Sequence, residues 1–315
     1  MLSEPSARRK PNALEPGDTI GIVAPASPFS VPDLARGVAL LHAMGFATRL
    51  SGDLFARQGC LAGSDALRAA QLHTMFADDA VHAIMCARGG YGGLRLLQSL
   101  DYALIAAHPK PFIGFSDTTA LHQAIRLKTG LVTFHGPMVC SLEPSDAAAG
   151  SALQQMLQAV AMGPPRIAGL RTLRPGRGEG ILVGGNLSTL CSLIGTPFAQ
   201  SYHGCVLFLE DRGERPYRID RMLVQMKLAG CFEGLAGLVL GSFSDCGAGE
   251  EIDAIVRQLF DDRPIPIMTG LAAGHQNPNR TLPLGVTVVL DAGSGTLRFE
   301  EAATVQKPDR ISSHV

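Results

Sequence analysis

One serine stands where a buried strand is predicted to end and a helix to begin. The segment 112–119 reads FIGFSDTT, and its Gly-Phe-Ser triplet matches the front half of the G-x-S-x-G nucleophile elbow. Such a turn exposes the serine hydroxyl and directs the N–H groups of the following helix toward a developing oxyanion. The fifth motif position is Thr118 instead of Gly. Because a serine before Asp-Thr-Thr is also a common N-cap, Ser116 is predicted to be either a nucleophile or a helix cap.

A serine nucleophile needs a general base, and three of the nine histidines are candidates. His122 lies six residues further along the same predicted helix, which rotates it by ~240° and raises it by ~9 Å, so it cannot face Ser116. His135 follows the next apolar strand and is expected at the same sheet edge, lining the pocket. His275 lies in the loop 274–285, which is rich in Gly, Asn and Pro, and functional residues concentrate on such loops. A surface or fully bonded histidine is the alternative for each.

A carboxylate that orients the base would complete such a site. Glu210 ends an apolar strand, an unusual place for a purely solvated charge. A helix cap or an ion pair with Arg212 or Arg215 is the alternative. The order Ser116, Glu210, His275 along the chain is the order found in α/β-hydrolases, although a triad is defined by its geometry.

A glycine-rich loop follows the third predicted strand. The sequence ARGGYGG of residues 87–93 does not fit the G-x-G-x-x-G dinucleotide pattern and has no acidic residue at the expected offset. Its glycines allow backbone N–H groups to approach a ligand closely, so Gly89 or Gly90 would supply half of an oxyanion hole. Arg88 would grip a substrate carboxylate. The alternatives are a tight turn and an arginine that braces its own domain.

The first half of the chain alternates short apolar runs with helical patterns, which favours a parallel sheet covered on both faces. Ligands of such sheets bind at the carboxyl ends of the strands. In the second half the pattern is looser, and the Gly-, Pro- and Arg-rich stretch 162–180 predicts a connector. The predicted strands are 19–24, 46–50, 81–87, 111–115, 131–134, 205–210, 235–240, 286–290 and 296–299. The predicted helices are 32–44, 64–76, 117–128, 186–194, 216–228 and 250–260.

Composition restricts the class of protein. With 315 residues, 46% of them hydrophobic and 17% charged, the chain is expected to form about two globular domains. A net charge of −1 gives no nucleic-acid signature, and no apolar run is long enough for a membrane helix. The N-terminal segment lacks the apolar stretch of a secretory signal. The seven scattered cysteines, without a CxxC pair, indicate reduced thiols in a cytoplasmic protein. Metal-binding and Walker motifs are absent from the sequence, so neither metal nor cofactor is expected.

Seven segments together resemble the LD-carboxypeptidase family of serine peptidases, of the muramoyltetrapeptide carboxypeptidase type. They span most of the chain in order, and their combination is specific although each segment alone is weak. The segments are GDTIGIVAPAS (17–27), ARGGYGGLRLL (87–97), FIGFSDTTALH (112–122), HGPM (135–138), GGNLSTL (184–190), EDRGERPYRIDRML (210–223) and GHQNPNRTLPLG (274–285).

The resemblance implies a triad of Ser116, Glu210 and His275, with an oxyanion hole formed by N–H groups of the glycine loop (Gly89 or Gly90) and of Asp117. It also implies an α/β fold with two domains and commonly a homodimer. The N-terminal domain, 14–165, would be a Rossmann-like parallel sheet that carries the nucleophile. The C-terminal domain, 166–310, would be a smaller, β-rich α/β domain that carries the acid and base.

The activity implied by the resemblance is metal-free hydrolysis of the amide between an L-centre and a C-terminal D-amino acid. The usual substrate is a small murein tetrapeptide, which loses D-Ala during cytoplasmic recycling of the cell wall. One branch of the family instead confers immunity to microcin C. The absence of Trp and of a long aromatic insertion favours the recycling branch. Two readings from other classes stay open, a non-catalytic ligand-binding protein and a nucleotide-dependent enzyme that uses the glycine loop.

Overall fold

The computed structural model describes residues 7–147 and 166–307. Within these ranges two β-sheets, one of six strands and one of eight, are covered by helices in a mixed α/β fold. The strands are β1 (Thr19–Val23), β2 (Ala47–Leu50), β3 (Ala83–Cys86), β4 (Phe112–Gly114), β5 (Thr133–His135), β6 (Arg166–Ala168), β7 (Arg171–Arg174), β8 (Arg177–Asn186), β9 (Cys205–Arg212), β10 (Gly237–Ser244), β11 (Ile267–Thr269), β12 (Leu282–Leu284), β13 (Thr287–Asp291) and β14 (Thr296–Phe299).

The helices begin and end at residues suited to those positions. Ser30 and Ser64 each accept a hydrogen bond from a backbone N–H in the first turn of the helix that follows, and Gly130 ends another helix in the left-handed conformation. The helices are α1 (Val31–Ala43), α2 (Asp65–Ala77), α3 (Tyr102–Ala107), α4 (Thr119–Thr129), α5 (Leu187–Ser192), α6 (Pro216–Leu228) and α7 (Gly249–Leu259).

The first sheet has the strand order β12-β5-β4-β3-β1-β2. Its five strands from the first half of the chain run parallel, as the apolar runs predicted. Every residue of β3, β4 and β5 is buried, which is typical of parallel strands covered on both faces. Because β3 and β4 are neighbours, the glycine loop after β3 and Ser116 after β4 emerge side by side.

The second sheet has the strand order β6-β14-β13-β8-β9-β10-β11-β7. Its four central strands, β8 to β11, are parallel, and antiparallel strands flank them on both sides. The carboxyl end of β9 carries Glu210, which is paired in register with Asn186 at the end of β8. The α/β fold class expected from the sequence is thus confirmed, with two sheets.

The connector predicted over 162–180 is wrong for the part that the structure describes. Strands β6, β7 and the start of β8 occupy residues 166–180, while 162–165 lie outside the described residues. Strands β6 and β7 are the two outer strands of the second sheet, and Arg166 and Arg171 on them are exposed. Edge strands commonly carry such charges, which gave this stretch the composition of a loop.

The domain limits 14–165 and 166–310 stay a prediction, since their common boundary falls in residues outside the described ranges. Strand β12, from the second half of the chain, pairs antiparallel with β5 of the first sheet. The two halves of the chain therefore share a sheet edge close to the carboxyl end of β4. Among the described helices, none has both the length and the hydropathy needed to cross a membrane.

Candidate active site

A cavity of about 500 Å³ opens beside the carboxyl ends of β3 and β4. Its walls include Arg88, Gly89 and Ser116 from the first half of the chain. The second half contributes Arg212 and His275. Residues that are far apart in the sequence thus meet around one space, which is large enough for a small ligand.

Ser116 is held in an unusual backbone conformation. Strand β4 ends at Gly114, and a short 3₁₀ turn, Ser116–Thr118, leads into α4. Ser116 has φ 64°, in the left-handed region that a side-chain-bearing residue rarely occupies. Strain of this kind at a strand–helix junction is typical of a nucleophile elbow. The hydroxyl caps neither the turn nor α4, so the helix-cap alternative is not what the side chain does.

His275 bridges Ser116 and Glu210. Its Nε2 lies 3.0 Å from Ser116 Oγ, and its Nδ1 lies 2.7 Å from Glu210 Oε2. An ionised carboxylate only accepts, so Nδ1 carries the proton and Nε2 is left to accept the Ser116 hydroxyl. The imidazole also packs edge-on against Phe115, with the ring centroids 4.9 Å apart. The three predicted side chains therefore form one continuous line of hydrogen bonds.

Glu210 is fully buried, and burial raises the pKa of its carboxyl above the ordinary value, while the hydrogen bond from His275 acts in the opposite direction. Its hydrogen-bond partner is His275; Arg212, one of the partners considered from the sequence, pairs with Asp245. The adjacent Asp211 has a different environment. It accepts hydrogen bonds from the Asn186 amide and from Ser188, and so ties β9 to the start of α5.

The glycine loop lies against Ser116. A Cβ built on Gly89 would stand 3.0 Å from Ser116 Cβ and 3.3 Å from Oγ, so only glycine allows this approach without displacement. The Asp117 carboxylate accepts a hydrogen bond of 2.6 Å from Gly93 N and holds the loop to the start of α4. Gly90 also lines the cavity. The backbone of the loop is thus placed next to the serine hydroxyl.

Arg88 lines the same cavity and donates a hydrogen bond of 2.8 Å to the carbonyl of Pro28. That bond uses one of the five N–H groups of the guanidinium. One alternative from the sequence is that Arg88 braces its own half of the chain, and the contact with Pro28 is such a brace. The position on the cavity wall is the one needed to bind a ligand carboxylate, so both uses fit the geometry.

The other two histidines are buried behind the site. His122 Nε2–H donates a hydrogen bond of 2.8 Å to Gly114 O and does not reach Ser116, as its helical position predicted. His135 was expected to line the pocket, and that expectation is wrong. It is fully buried, because Phe115 and Phe208 pack against its ring edge-on, and burial lowers its pKa well below the ordinary value.

The seven cysteines are all unpaired. Cys140 lies on the cavity wall, where burial raises the pKa of its thiol to about 11, so it is not a thiolate at neutral pH. In the ranges 7–147 and 166–307, no three His, Cys, Asp or Glu side chains are grouped as a metal site.

Family models match both halves of the chain. Residues 20–136 match the LD-carboxypeptidase N-terminal domain, and residues 179–290 match the LD-carboxypeptidase C-terminal domain. The chain belongs to the LD-carboxypeptidase family. The resemblance drawn from the seven sequence segments is thereby confirmed, and the two matched ranges contain Ser116, Glu210 and His275.

Relatives within this family match over nearly the whole chain. A protein of Bacillus subtilis named probable murein peptide carboxypeptidase is 40% identical and covers 94% of this chain and 95% of its own length. The murein tetrapeptide carboxypeptidase of Pseudomonas aeruginosa is 33% identical, covering 92% and 98%. Among solved structures, MccF in complex with glutamyl sulfamoyl guanosine superposes with a TM-score of 0.85 at 26% identity, covering 94% of this chain and 99% of that one.

Two residues that hold this LD-carboxypeptidase site together were not singled out from the sequence. Arg68 of α2 is fully buried, and its guanidinium donates to Gly92 O at 2.9 Å and to the carbonyl of Pro25, which anchors the glycine loop. Gly274 precedes His275 with φ +113°. An arginine in the middle of an amphipathic helix carries no sequence signal of burial, and a glycine in a loop carries no signal of close packing.

Proposed function

We propose that the chain is a serine-type LD-carboxypeptidase that hydrolyses the amide between an L-centre and a C-terminal D-amino acid in murein-derived tetrapeptides. The observation that carries the proposal is the line of hydrogen bonds from Ser116 through His275 to the buried Glu210. The full-length similarity to murein peptide carboxypeptidases supports the substrate class.

The proposed reaction begins with attack of Ser116 Oγ on the scissile carbonyl carbon. As the C–O bond forms, His275 Nε2 takes the hydroxyl proton, acting as general base. The carbonyl oxygen becomes an oxyanion, which accepts hydrogen bonds from the N–H groups of Asp117 and of Gly89 or Gly90. When the C–N bond breaks, His275 gives the proton to the leaving amine of the D-amino acid.

The acyl-enzyme is then hydrolysed by the same groups. His275 takes a proton from water, the resulting hydroxide attacks the ester carbon, and Ser116 leaves with the proton returned by His275. Glu210 stays ionised in both steps. It holds the Nδ1–H tautomer of the imidazole and stabilises the imidazolium through the 2.7 Å contact.

Selection of a C-terminal residue is assigned to Arg88. A guanidinium on the cavity wall binds a terminal carboxylate through two parallel hydrogen bonds, and such pairs are strong when water is excluded. This contact would place the last amide of the peptide over Ser116. The enzyme is therefore an exopeptidase in this proposal, and an amidated C-terminus removes its anchor.

Location and assembly belong to the same proposal. Seven unpaired cysteines, several of them buried, fit a reducing compartment such as the cytoplasm. The family resemblance favours a homodimer, with a small peptide as the substrate and neither nucleic acid nor membrane as a partner. Analytical ultracentrifugation of the purified chain tests the dimer, because a single species at the monomer mass would contradict it.

The decisive experiment incubates the purified chain with an L-Ala-D-Glu-diamino acid-D-Ala peptide and measures released D-Ala. We expect turnover by the wild type, none by Ser116→Ala, and covalent labelling of Ser116 by a serine-directed phosphonate. Absence of both turnover and labelling in a folded protein would favour a non-catalytic binding protein. Strong thermal stabilisation by a nucleotide would instead favour a nucleotide-dependent enzyme.

Immunity to microcin C is the second candidate function, favoured by the match to MccF with its glutamyl sulfamoyl guanosine ligand. The chain itself contains no Trp, so a tryptophan cannot stack on a nucleobase here. A competition assay distinguishes these two candidate functions. We expect glutamyl sulfamoyl guanosine to inhibit D-Ala release weakly, whereas binding much tighter than that of the tetrapeptide would favour the immunity function.

A further inference from the structure

Three buried polar atoms, one on β9, one on β10 and one in the loop that carries His275, lack a hydrogen-bond partner among the described residues. They are Glu210 Oε1, Ser242 Oγ and Asn279 Nδ2. An unpaired buried polar atom destabilises a fold, so each such atom calls for an explanation, such as a catalytic role or a bound water. The set is complementary, since the carboxylate oxygen accepts while the hydroxyl and the amide nitrogen donate.

A β-bulge turns Ser242 toward the acid. Leu240 of β10 pairs with Leu209 of β9, and Phe243 then pairs with Asp211, so two residues of β10 lie opposite Glu210. Bulges beside functional sites re-aim a side chain in this way. The backbone of Ser242 is also attached to the segment that carries His275, because Ser242 N donates to Ala273 O at 2.9 Å.

Gly274 makes room for the two oxygens to approach each other. A Cβ built on Gly274 would lie 2.6 Å from Ser242 Oγ and 2.6 Å from Glu210 Oε2. Both oxygens therefore border the same small space above the Gly274 Cα. A side chain at this position would fill that space and separate them.

We propose that Ser242 is a positioning residue, whose hydroxyl donates a hydrogen bond to the Glu210 carboxylate, either directly or through one bridging water. It thereby gives the carboxylate a further donor besides His275 and the Asn186 amide and fixes its orientation toward Nδ1. The inference rests on the proposed function, in which Glu210 must be ionised to orient the base.

The charged and polar groups around Glu210 explain why a hydrogen bond from Ser242 would affect its ionisation. The groups that face Glu210 are His275 from the loop after β11, Asp211 on its own strand and the Asn186 amide from β8. Burial and the negative charge of Asp211 favour protonation of Glu210, and hydrogen bonds favour the ionised form. Beyond His275 lies His135, whose pKa is lowered well below the ordinary value by burial, so it adds no positive charge.

Removal of a hydrogen-bond donor from the Glu210 carboxylate makes the Glu210–His275 pair more basic. The protonated pair then forms at higher pH, and the acid limb of the kcat/KM profile moves upward. For Ser242→Ala we expect a shift of about half to one pH unit and a fall of about 3- to 10-fold in kcat/KM at neutral pH. Ser242→Thr keeps the hydroxyl and should restore the wild-type limb; Ser242→Cys, a weaker donor, should lie between.

The control is Ser51→Ala. Ser51 is also a buried serine whose hydroxyl has no partner in the described part of the chain, but it follows β2 at the far edge of the first sheet. Because that hydroxyl has no partner to lose, Ser51→Ala should change stability little and should leave the pH profile unchanged. Equal acid limbs for wild type and Ser242→Ala, or an equal shift in Ser51→Ala, would overturn the inference.

A spectroscopic readout separates this inference from the proposed function. The low-field ¹H NMR signal of the His275 Nδ1–H and its titration can be followed without any substrate. We expect the signal to move and its apparent pKa to rise in Ser242→Ala but not in Ser51→Ala. If the wild type releases no D-Ala, the proposed function fails while this measurement still decides the role of Ser242; an unchanged signal in Ser242→Ala rejects that role.

Discussion

The two halves of the chain position their parts of the candidate site by different means. In the first half, a single segment of eight residues, 112–119, contains the end of β4, the strained Ser116 and the start of α4. In the second half, Glu210 and His275 are 65 residues apart and meet only through packing of a strand and a loop. The candidate nucleophile is thus placed by local backbone geometry, and the candidate acid and base are placed by tertiary contacts.

This difference has consequences for stability as well as for activity. The serine side stores strain in one residue with a positive φ. The acid side instead places a carboxylate in a fully buried position, where the charge is costly. Both sides are therefore expected to be less stable than they would be with another residue at the same position, for different physical reasons.

The largest effect is expected for substitution of Ser116, in the first half of the chain. Ser116→Ala should lower kcat/KM for D-Ala release by about 10³-fold or more, and the double variant with His275→Ala should be little worse, because such residues act as a unit. Ser116→Gly should be equally inactive but about 1 kcal/mol more stable than Ser116→Ala in urea unfolding, since glycine relieves the φ of 64°. Near wild-type rates in Ser116→Ala would reject the nucleophile.

Glu210→Gln tests the acid side. We expect a loss of about 10²- to 10⁴-fold in kcat/KM, because the amide no longer stabilises the imidazolium. Since burial raises the Glu210 pKa above its ordinary value near 4.5, the wild type is stabilised below that value and loses this stability as pH rises through the folded pKa. The Gln variant should therefore gain unfolding free energy relative to wild type as the pH rises above 4.5 and through the folded pKa of Glu210. Identical pH dependence in both proteins would argue against a costly buried charge.

A third experiment compares the two cavity arginines, one from each half. For wild type, the free-acid peptide should be preferred over the amidated peptide by about 30-fold to several thousand-fold in kcat/KM, and Arg88→Ala should lose this preference. Arg212→Ala is the matched control, because Arg212 lines the same cavity but is paired with Asp245. Equal discrimination in wild type and Arg88→Ala would assign the carboxylate to another group.

Gly274→Ala is expected to have a smaller effect, confined to the acid and base. Its Cβ would collide with Glu210 Oε2 and Ser242 Oγ, so we expect activity to fall about 10- to 100-fold. Gly195→Ala has a similarly unfavourable φ, +85°, but nothing within 4 Å of the new Cβ. Both variants should lose stability in thermal melts, and only Gly274→Ala should lose activity. A comparable loss of activity in both would show that backbone strain alone is responsible.

The smallest expected effect is that of metal removal. The proposed reaction uses the serine and the histidine without a metal, so dialysis against EDTA or 1,10-phenanthroline should leave the rate of D-Ala release unchanged. If activity disappeared and returned with Zn²⁺, a metallopeptidase with His135 or His275 as a ligand would replace the serine mechanism.

Much of the first half was predictable because its signals are local. Continuous apolar runs indicated parallel strands, and the strand–turn–helix pattern around Ser116 indicated the elbow. The stretch 166–180 was misread because an edge strand needs a neighbour to pair with, and its charged composition resembles that of a loop. His135 was placed correctly at the sheet edge, but Phe208, which helps to cover its ring, comes from a distant strand.

The sequence by itself determined the fold class, the strand–helix junction that presents Ser116 and, through its seven family segments, the two residues expected to act with it. Only the tertiary structure shows how one of two adjacent carboxylates comes to face His275. Neighbouring residues of a strand point to opposite faces, so the packing of the His275 loop against β9 and β10 selects Glu210 and leaves Asp211 to bind Asn186 and Ser188. The bulge that turns Ser242 toward Glu210 depends on the pairing of two strands, which the sequence of either strand alone does not specify.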